Sequence, residues 1–439
     1  MMNTDTSASR SLLRVSDDRR RLVRQDGQPF FWLADTAWRA PYRLTRSEME
    51  TYLQTRADQG FTVIQTVAVD RRFEPGVTGH APFVDGDPEQ PDETFFGHLD
   101  FFVRRAVELG FVVALLPAWG FAVTKERILT EDNAAGYGAF LAARYRDLPI
   151  VWVLGGDQPG TGFEGVWRAE ARGLAGVHGG AQLMTFHPKG GQSSSWWFHG
   201  DDWLDFNMIQ SGHRHNAPTH RFVQSDWGRT PEKPVLDAES VYENIPHGLS
   251  LLNVDADRLT AHDVRKAAYW STFAGGFGYS YGCNEVFQFW KADEDNPLPA
   301  WGGRVDWQKA LRFDGAEQMR HLKNLFLSRP GGHRPAQHLL AEPAGNAGDH
   351  VRICRVADGP TLLGYSPNGR PFTLRPATGT VREWRAWWYD PRTGGCEELD
   401  AVCGDDNHRF TPPSHTEDWV LVLDDVAAET ALPGKHGVV

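Results

Sequence analysis

Two acidic residues stand at the ends of two hydrophobic segments of the sequence. Residues 151–160 read VWVLGGDQPG, in which an apolar run ends in two glycines followed by Asp157. Residues 233–244 read KPVLDAESVYEN, in which a second apolar run ends at Glu239. Two carboxyl groups at the ends of separate strands are the minimum requirement of a glycosidase, in which one protonates the leaving oxygen and the other attacks or activates water. This chemistry requires a fold that brings the two residues together.

The rest of the sequence predicts such a fold. Short apolar or β-branched runs alternate with longer helical patterns, which is typical of repeated βα units around a parallel sheet. The runs are continuously hydrophobic, as burial on both faces of a strand requires. The eight predicted strands are residues 29–35, 61–69, 111–119, 150–157, 182–188, 206–213, 233–240 and 277–285. Eight such units within residues 20–330 predict a (β/α)8 TIM barrel.

Helical patterns fill the intervals between most of these strands. Thr45 followed by Glu48 has the spacing of a capping box, which marks the start of the first helix. The predicted helices are residues 49–60, 99–110, 130–146, 163–174, 260–274 and 307–327. Gly60 and Gly110 stand where a helix should end and the next strand begin.

The pattern changes after residue 330. Residues 331–430 contain short apolar runs separated by Pro, Gly, Asn and Asp, and no helical periodicity remains. This pattern predicts a small, all-β antiparallel sandwich that follows the barrel as a second domain.

Composition excludes several classes of protein. The chain has 439 residues and a formal net charge of −12, which argues against nucleic-acid or anionic-membrane partners. Its first residues contain no apolar core of a secretory signal, and its longest apolar stretch is too short to span a bilayer. The four cysteines form no CxxC pair, as in reduced intracellular proteins. We therefore expect a soluble, cytoplasmic protein of bacterial type, whose oligomeric state the sequence leaves open.

The strand count assigns roles to the acids. Polar residues at the carboxyl ends of barrel strands form the active site, and strands four and seven place Asp157 and Glu239 across the mouth from each other. The acid must have a raised pKa, whereas the nucleophile must stay ionised. Asp237 is the main rival of Glu239, because residues two apart on a strand share a face. We expect Asp237 to lie one layer deeper and to support the site.

Further residues at the strand ends are candidates for binding a sugar. Asp35, at the end of strand one, could hold sugar hydroxyls or could equally cap the next helix. Tryptophan side chains in the loops could form an aromatic wall for the C–H faces of a sugar. The other predicted substrate-binding residues are Trp38, Trp119, His187, Trp197, Gln210, His213, Tyr242 and Asn284.

Other chemistries have weaker support. His213, His215 and His220 cluster within eight residues, and HxH spacing can bind zinc. This makes a metal-dependent hydrolase an alternative, but no HExxH motif or cysteine pair accompanies the histidines, and we expect neither metal nor cofactor. GxSxG and nucleotide-binding glycine motifs are absent from the sequence in the required contexts. A catalytically inactive, carbohydrate-binding barrel is the remaining alternative.

Six motifs in order resemble the apiosidase-like glycoside hydrolases. Three of them are VWVLGGDQPG, MTFHP and KPVLDAESVYEN, and the others begin at residues 30, 196 and 267 with FFWLADTAWRAPY, WWFHGDDWLDFNMIQSGH and AAYWSTFAGGFGYSYG. The resemblance covers about residues 20–330. The segment WRAWWYDPRTGG, residues 384–395, resembles a small β domain that follows this barrel in many members and is named after collagen binding.

The resemblance implies a retaining glycosidase with a (β/α)8 barrel. It implies Asp157 as the acid/base and Glu239 as the nucleophile, and the family's activity is the release of apiose, a branched pentose, from pectic side chains. Related strand-four and strand-seven glycosidases usually carry Asn-Glu at the acid position, where this chain has Gly156-Asp157. We expect an exo-acting enzyme that removes a terminal pentose or related sugar from oligosaccharides or glycosides.

Overall fold

Eight parallel strands form the first part of the molecule. The computed structural model describes residues 12–70, 75–177, 182–249, 257–293, 302–356, 361–375, 383–404 and 406–435. The strands are β1 (Trp32–Thr36), β2 (Val63–Val69), β3 (Val112–Ala118), β4 (Ile150–Gly155), β5 (Met184–His187), β6 (Asn207–Gln210), β7 (Val235–Glu239) and β8 (Gly278–Cys283). Each lies within or overlaps a predicted strand, so the eightfold pattern is confirmed.

The strands close into a barrel. Their order is β5-β4-β3-β2-β1-β8-β7-β6, with parallel pairing throughout. The gap between β5 and β6 is bridged by Asp205 N, which donates to Met184 O at 2.9 Å, and by Thr185 Oγ1, which donates to Phe206 O at 2.7 Å. The (β/α)8 barrel expected from the sequence is therefore present.

Helices surround the barrel. The longer ones are α1 (Arg46–Asp58), α2 (Glu93–Glu108), α3 (Ala134–Arg144), α4 (Glu164–Gly176), α5 (Thr219–Trp227), α6 (Ala261–Phe273) and α7 (Asp314–Leu327). One-turn helices are Ala40–Arg43, Phe121–Thr124, Ser195–Phe198, Asn284–Phe287 and Trp307–Ala310. The predicted helix 307–327 is thus two helices, and α5 was not predicted. The capping box at the start of α1 is confirmed, because Thr45 N donates to Glu48 Oε2 at 2.8 Å.

Alternation along the strands divides the core of the barrel into two layers. Trp32, Val63 and Leu116 belong to a cluster inside the barrel, whereas Leu33 and Ile64 pack outward against the helices. Successive side chains of a strand point to opposite faces, so both faces must be apolar here. This explains why the strands read as continuous hydrophobic runs.

A hairpin covers one end of the barrel. Leu13–Val15 pairs with Leu22–Arg24 in antiparallel fashion. Leu13 joins the interior cluster and lies beside Val112 and Ile150, which are the first residues of β3 and β4. The hairpin therefore covers the amino ends of the strands and leaves their carboxyl ends for a site.

The second domain is antiparallel. Its strands are β9 (His333–Pro335), β10 (Arg352–Val356), β11 (Thr361–Ser366), β12 (Phe372–Leu374), β13 (Glu383–Tyr389), β14 (Cys396–Glu398), β15 (Val402–Cys403), β16 (His408–Phe410) and β17 (Trp419–Asp425). The main sheet has the order β9-β10-β11-β17-β13-β14, with β15 also on β13. Strands β12 and β16 form a two-stranded sheet, from which Phe372 contacts Trp388 of the main sheet with ring centroids 6.1 Å apart.

The other face of the main sheet packs on the barrel. Tyr365 of β11 stacks on Tyr269 of α6, with ring centroids 4.8 Å apart and planes 14° from parallel. Arg265 of α6 forms an ion pair with Asp418 at 2.7 Å, in which the side chains are 4% and 0% exposed. The two domains therefore share a continuous core. In the part of the chain that the structure describes, none of the helices has the length and apolar character needed to span a lipid bilayer.

Candidate active site

A glycine turn positions Asp157. Gly155, Gly156 and Asp157 have φ angles of +89°, +115° and +52°. A Cβ on Gly155 would lie 2.5 Å from the carbonyl oxygen of His187, and one on Gly156 would lie 2.9 Å from the ring of Trp119. Positive φ and close approach both favour glycine, so the motif LGGD is the turn that carries the acid off the end of β4.

A bulge in β7 positions Glu239. The pairing of β7 with β6 shifts register between Asp237 and Glu239. Without the shift the two carboxyl groups would share a face, whereas a bulge re-aims the side chain that follows it. Asp237 instead accepts hydrogen bonds from Ser211 Oγ at 2.8 Å and from Ser271 Oγ of α6 at 3.1 Å. The expectation that Asp237 lies beneath Glu239 in the same site is corrected: it faces α6.

The fold brings the two acids together. An oxygen of Asp157, a ring nitrogen of His187 and an oxygen of Glu239 all lie within 4.8 Å of one another. Glu239 is 4% exposed, and Asp157 is half-buried with its Oδ1 inaccessible to solvent. Two carboxyl groups so close in a largely buried site influence each other's ionisation strongly.

Two histidines hold Glu239. Nε2 of His187 lies 3.1 Å from Oε2 of Glu239, and Nε2 of His213 lies 3.2 Å from Oε1. Burial alone would raise the pKa of Glu239, but the two imidazoles outweigh it and hold the pKa well below its ordinary range. Burial lowers the pKa of His187, yet the adjacent Glu239 raises it overall. Glu239 is therefore the carboxyl group that stays ionised.

The pKa of Asp157 is shifted in the opposite direction. Burial, followed by the charge of Glu239, raises the pKa of Asp157 to about 6, although His187 and Gln210 oppose the shift. Two carboxyl groups whose pKa values are driven apart in this way are suited to the roles of acid and nucleophile. Asp237 is a poorer nucleophile by the same criterion, because burial raises its pKa to about 7.

Aromatic side chains surround this pair. The ring of Trp38 lies 5.3 Å from those of Trp119 and His187, centroid to centroid. Nε1 of Trp38 donates to the hydroxyl of Tyr242 at 3.2 Å, and the ring of Tyr242 lies 4.4 Å from that of His213. These five predicted residues are thus brought together around the acids.

Three other predicted residues lie on neighbouring segments. Gln210 ends β6 and pairs with Glu239 in the sheet. Trp197 donates from Nε1 to Thr161 Oγ1 at 2.8 Å and so contacts the loop that follows Asp157. Asn284 begins the helix after β8 and is fully buried. Their contact with a sugar stays a prediction.

Asp35 is not in this site. It forms an ion pair with Arg56 Nε at 2.9 Å and accepts a hydrogen bond from Tyr52 OH at 2.6 Å, and both partners belong to α1. The carboxylate and guanidinium are 0% exposed. Asp35 therefore faces the helix layer, and its predicted role in holding sugar hydroxyls is corrected to a structural ion pair.

The histidines that follow β6 do not form a metal site together. His213 contacts Glu239, whereas His215 lies between Asp257 and Asp263 at 2.9 and 3.0 Å. His220 stacks on His350 with ring centroids 4.2 Å apart. Because the three rings have separate partners, the alternative of a hydrolase using these histidines loses its geometric basis.

Sequence reasoning missed the groups that orient the two acids. Trp119 lies so close to Gly156 that a Cβ there would come within 2.9 Å of its ring, and two serines, Ser211 and Ser271, hold Asp237 away from Glu239 at 2.8 and 3.1 Å. Both are contacts between distant segments of the chain. The paired glycines were the available signal for the turn. No residue pattern in KPVLDAESVYEN marks the bulge.

A barrel with two such acids at the ends of its fourth and seventh strands defines a glycoside hydrolase, and solved structures agree. A structure described as a glycoside hydrolase family 5 from Bacteroides vulgatus ATCC 8482 is 33% identical, with a TM-score of 0.91 over 98% of this chain and 96% of that chain. A second, described as a glycoside hydrolase, is 33% identical, with a TM-score of 0.89 over 95% of this chain and 97% of that chain.

Comparison with protein families gives a more specific assignment than the fold does. Residues 16–331 match the family described as "Apiosidase-like, catalytic domain". Residues 334–424 match "Putative collagen-binding domain of a collagenase". No curated protein matches the chain. The chain belongs to the apiosidase-like family and is a glycosidase.

Proposed function

We propose that this protein is a retaining glycosidase in which Glu239 is the nucleophile and Asp157 the acid/base. The supporting observation is the separation of the two acids, whose oxygens lie within 4.8 Å of each other. Carboxyl groups stand about 5 to 5.5 Å apart in retaining enzymes and about 6.5 to 9.5 Å apart in inverting ones, which need room for a water between the catalytic base and the sugar.

The first step forms a glycosyl-enzyme. Asp157 donates its proton to the glycosidic oxygen while an oxygen of Glu239 attacks the anomeric carbon, so the C–O bond to the leaving alcohol breaks as the ester bond forms. In the second step a water loses a proton to the Asp157 carboxylate and attacks the same carbon. The ester bond breaks, the Glu239 carboxylate is regenerated, and Asp157 is protonated again.

The electrostatics support this change of role. The negative charge of Glu239 contributes to the raised pKa of Asp157. Formation of the ester removes that charge, so the pKa of Asp157 falls and its carboxylate becomes available as the base. His187 and His213 keep the nucleophile ionised and oriented in the free enzyme, and they stabilise the carboxylate again as it leaves the sugar.

The family and the walls of the site support a proposal for the substrate class. We propose an exo-acting enzyme that removes a terminal pentose, with apiose first, from an oligosaccharide or glycoside. Gly156 stands where related glycosidases carry an Asn, and it offers no side chain to the sugar. Gln210 is the candidate to replace that Asn, because its buried Oε1 has no hydrogen-bond partner among the described residues and can accept a hydrogen bond from a sugar hydroxyl.

The proposal is tested with nitrophenyl glycosides and two matched variants. An apioside and the common pentosides identify the substrate. Glu239→Ala should then lose turnover, and added azide should restore cleavage and give a glycosyl azide of inverted configuration. Asp237→Ala, two residues away but facing α6, should keep hydrolysis through Glu239. Retained hydrolysis in Glu239→Ala without azide would move the nucleophile elsewhere.

A further inference from the structure

Trp196 carries an exposed indole on the surface of the barrel. Among the described residues, the large apolar side chains that are exposed are those of Val77, Val84, Trp196, Val426 and Leu432, and Trp196, at 52%, is the only aromatic one. A single exposed apolar residue is ordinary in a globular protein. An indole has a large flat face, however, and its position relative to the site decides whether that face can bind a ligand.

The one-turn helix that carries Trp196 belongs to the loop after β5. This strand ends at His187, whose Nε2 contacts Glu239. The loop also pairs with the end of β6, because the N–H of Gly191 donates to Gln210 O at 2.7 Å. Loops that follow the strands of a (β/α)8 barrel form its active-site face. Trp196 therefore lies on this face of the barrel.

Buried hydroxyl groups hold the start of this helix. Ser195 Oγ donates to Asp226 Oδ1 at 2.7 Å, and Ser193 Oγ donates to the other oxygen of the same carboxylate. Ser194 Oγ accepts a hydrogen bond from a backbone N–H of β6 at 2.9 Å. All three serines are buried. The backbone that carries Trp196 is therefore fixed before any ligand binds, which lowers the entropic cost of binding.

The aromatic neighbours of Trp196 pack into the protein. Phe198 is fully buried, and its ring lies 4.9 Å from that of Phe186, centroid to centroid. The ring of Trp197 lies 6.0 Å from that of Phe186. The rings of Trp196 and Trp197 are also 6.0 Å apart, but their planes are 52° from parallel. Trp197 therefore does not stack on the flat face of Trp196.

Trp197 connects this helix to the loop that follows Asp157. Its Nε1 donates to Thr161 Oγ1 at 2.8 Å, and a Cβ on Gly160 would lie 2.7 Å from its ring. Gly160 is three residues after Asp157, so the Cα atoms of these two residues are at most about 11 Å apart. Trp196 therefore lies on the side of the site that carries the acid.

The acid's side of the site is also the side of the leaving group. In the proposed reaction Asp157 protonates the glycosidic oxygen, whereas Glu239 attacks the anomeric carbon of the sugar that is removed. The part of the substrate that leaves extends from this oxygen past Asp157 and along the loop that follows it. Trp196, which adjoins this loop through Trp197, is placed to contact a sugar farther along the leaving group.

We infer that Trp196 is a platform on which a sugar of the leaving group stacks through its C–H face. The inference rests on the proposed function and deepens it: the substrate is an oligosaccharide, and Trp196 favours those with a longer leaving group. Covering an exposed indole face removes apolar surface from water, which favours binding. Contacts with a remote part of a substrate also orient the reacting bond, so they act on kcat/KM.

Kinetics on two glycosides test the inference. The probes are a methyl glycoside of the terminal sugar that the nitrophenyl panel identifies and a linear trisaccharide that ends in the same sugar. The parent protein should hydrolyse the trisaccharide with a higher kcat/KM than the methyl glycoside, whose leaving group is too small to reach the indole. In Trp196→Ala and Trp196→Gln the ratio of these two values should fall roughly tenfold. Trp196→Phe keeps an aromatic face and should retain most of the ratio.

The ratio separates loss of the contact from loss of the fold, because a damaged fold lowers hydrolysis of both glycosides alike. Val426→Ala is the control: it removes an apolar side chain of the second domain that is 48% exposed, and it should keep the ratio of the parent protein. An equal ratio in Trp196→Ala and the parent protein, or a parent protein that prefers the methyl glycoside, would overturn the inference. Failure of the parent protein to hydrolyse either glycoside would instead overturn the proposed function, and the inference with it.

Discussion

His213 and Glu239 form a buried pair in which Nε2 of the imidazole lies 3.2 Å from Oε1 of the carboxylate. The contact is one of two that keep the pKa of Glu239 low against the effect of burial. Because the contact keeps the proposed nucleophile ionised, the pH dependence of the reaction can reveal it.

Removing this imidazole should move the acid limb of the pH profile. In His213→Ala the pKa of Glu239 rises toward its ordinary value, so the pH below which kcat/KM falls moves upward. Loss of a hydrogen bond to a charged group, worth about 1.5 to 3 kcal/mol, should also lower kcat/KM about ten- to a hundredfold. His215→Ala is the matched control, because His215 pairs with Asp257 and Asp263. An unmoved acid limb in His213→Ala would contradict the role of this contact.

The basic limb should report Asp157. The general acid works only when protonated, so activity is complete below the pKa of Asp157 and is lost as the pH rises through about 6. Asp157→Asn should abolish this limb and lower kcat by about 10²- to 10⁴-fold on alkyl glycosides. The first step is reported by kcat/KM, which should fall much less on dinitrophenyl glycosides, because their leaving group needs no proton. An equal fall in kcat/KM on both substrates would show that Asp157 is not the acid.

The glycine turn should tolerate no side chain at position 156. Gly156→Ala puts a Cβ 2.9 Å from Trp119 and 3.0 Å from Gly120 N, so the turn must shift and carry Asp157 with it. We expect kcat to fall by about a hundredfold, as a 1 Å misplacement of a reacting group can cause. Gly162→Ala is the control: φ there is +81°, but nothing lies within 4 Å of the added Cβ. An equal fall in kcat in both variants would show that backbone strain alone, without the clash, accounts for the loss of activity.

The β domain should stabilise the barrel. Asp418 accepts hydrogen bonds from Arg265 Nε at 3.0 Å and Nη2 at 2.7 Å, and also from Tyr365 OH at 3.1 Å. Asp418→Ala leaves the buried guanidinium unpaired, which costs about 3 to 5 kcal/mol. Denaturant unfolding measures this loss in the free energy of unfolding. Glu398→Ala breaks an exposed pair with Arg385 in the same domain and should change little; equal losses would argue against a shared core.

Much of the fold could be predicted from the sequence, because buried parallel strands leave a strong local pattern. All eight barrel strands and the caps of α1 follow from hydrophobic runs and turn residues. The helix after β6 was missed because its sequence, THRFVQSDW at Thr219–Trp227, carries few apolar residues. No helix was predicted after β5, where the structure has a single helical turn at Ser195–Phe198 preceded by a segment rich in glycine and serine.

The sequence predicts which residues lie in the site when their position at a strand end decides it, but not when the direction of the side chain decides it. Asp157, His187 and Glu239 meet because they end neighbouring or facing strands. Asp35 also ends a strand, but alternation directs it to the helix layer and to Arg56. Asp237 and Glu239 share a face in any regular strand, and only the bulge separates them. Such a register shift arises from contacts between distant segments, which a local sequence pattern does not encode.

The central claim is that Glu239 and Asp157 act by double displacement, and the anomeric configuration of the first-formed product tests it most directly. The measurement is ¹H NMR of the released sugar, recorded within the first minutes of hydrolysis and before mutarotation. Our account predicts a hemiacetal with the configuration of the substrate. A first-formed sugar of opposite configuration would contradict the covalent intermediate on Glu239 and would require a single displacement by water.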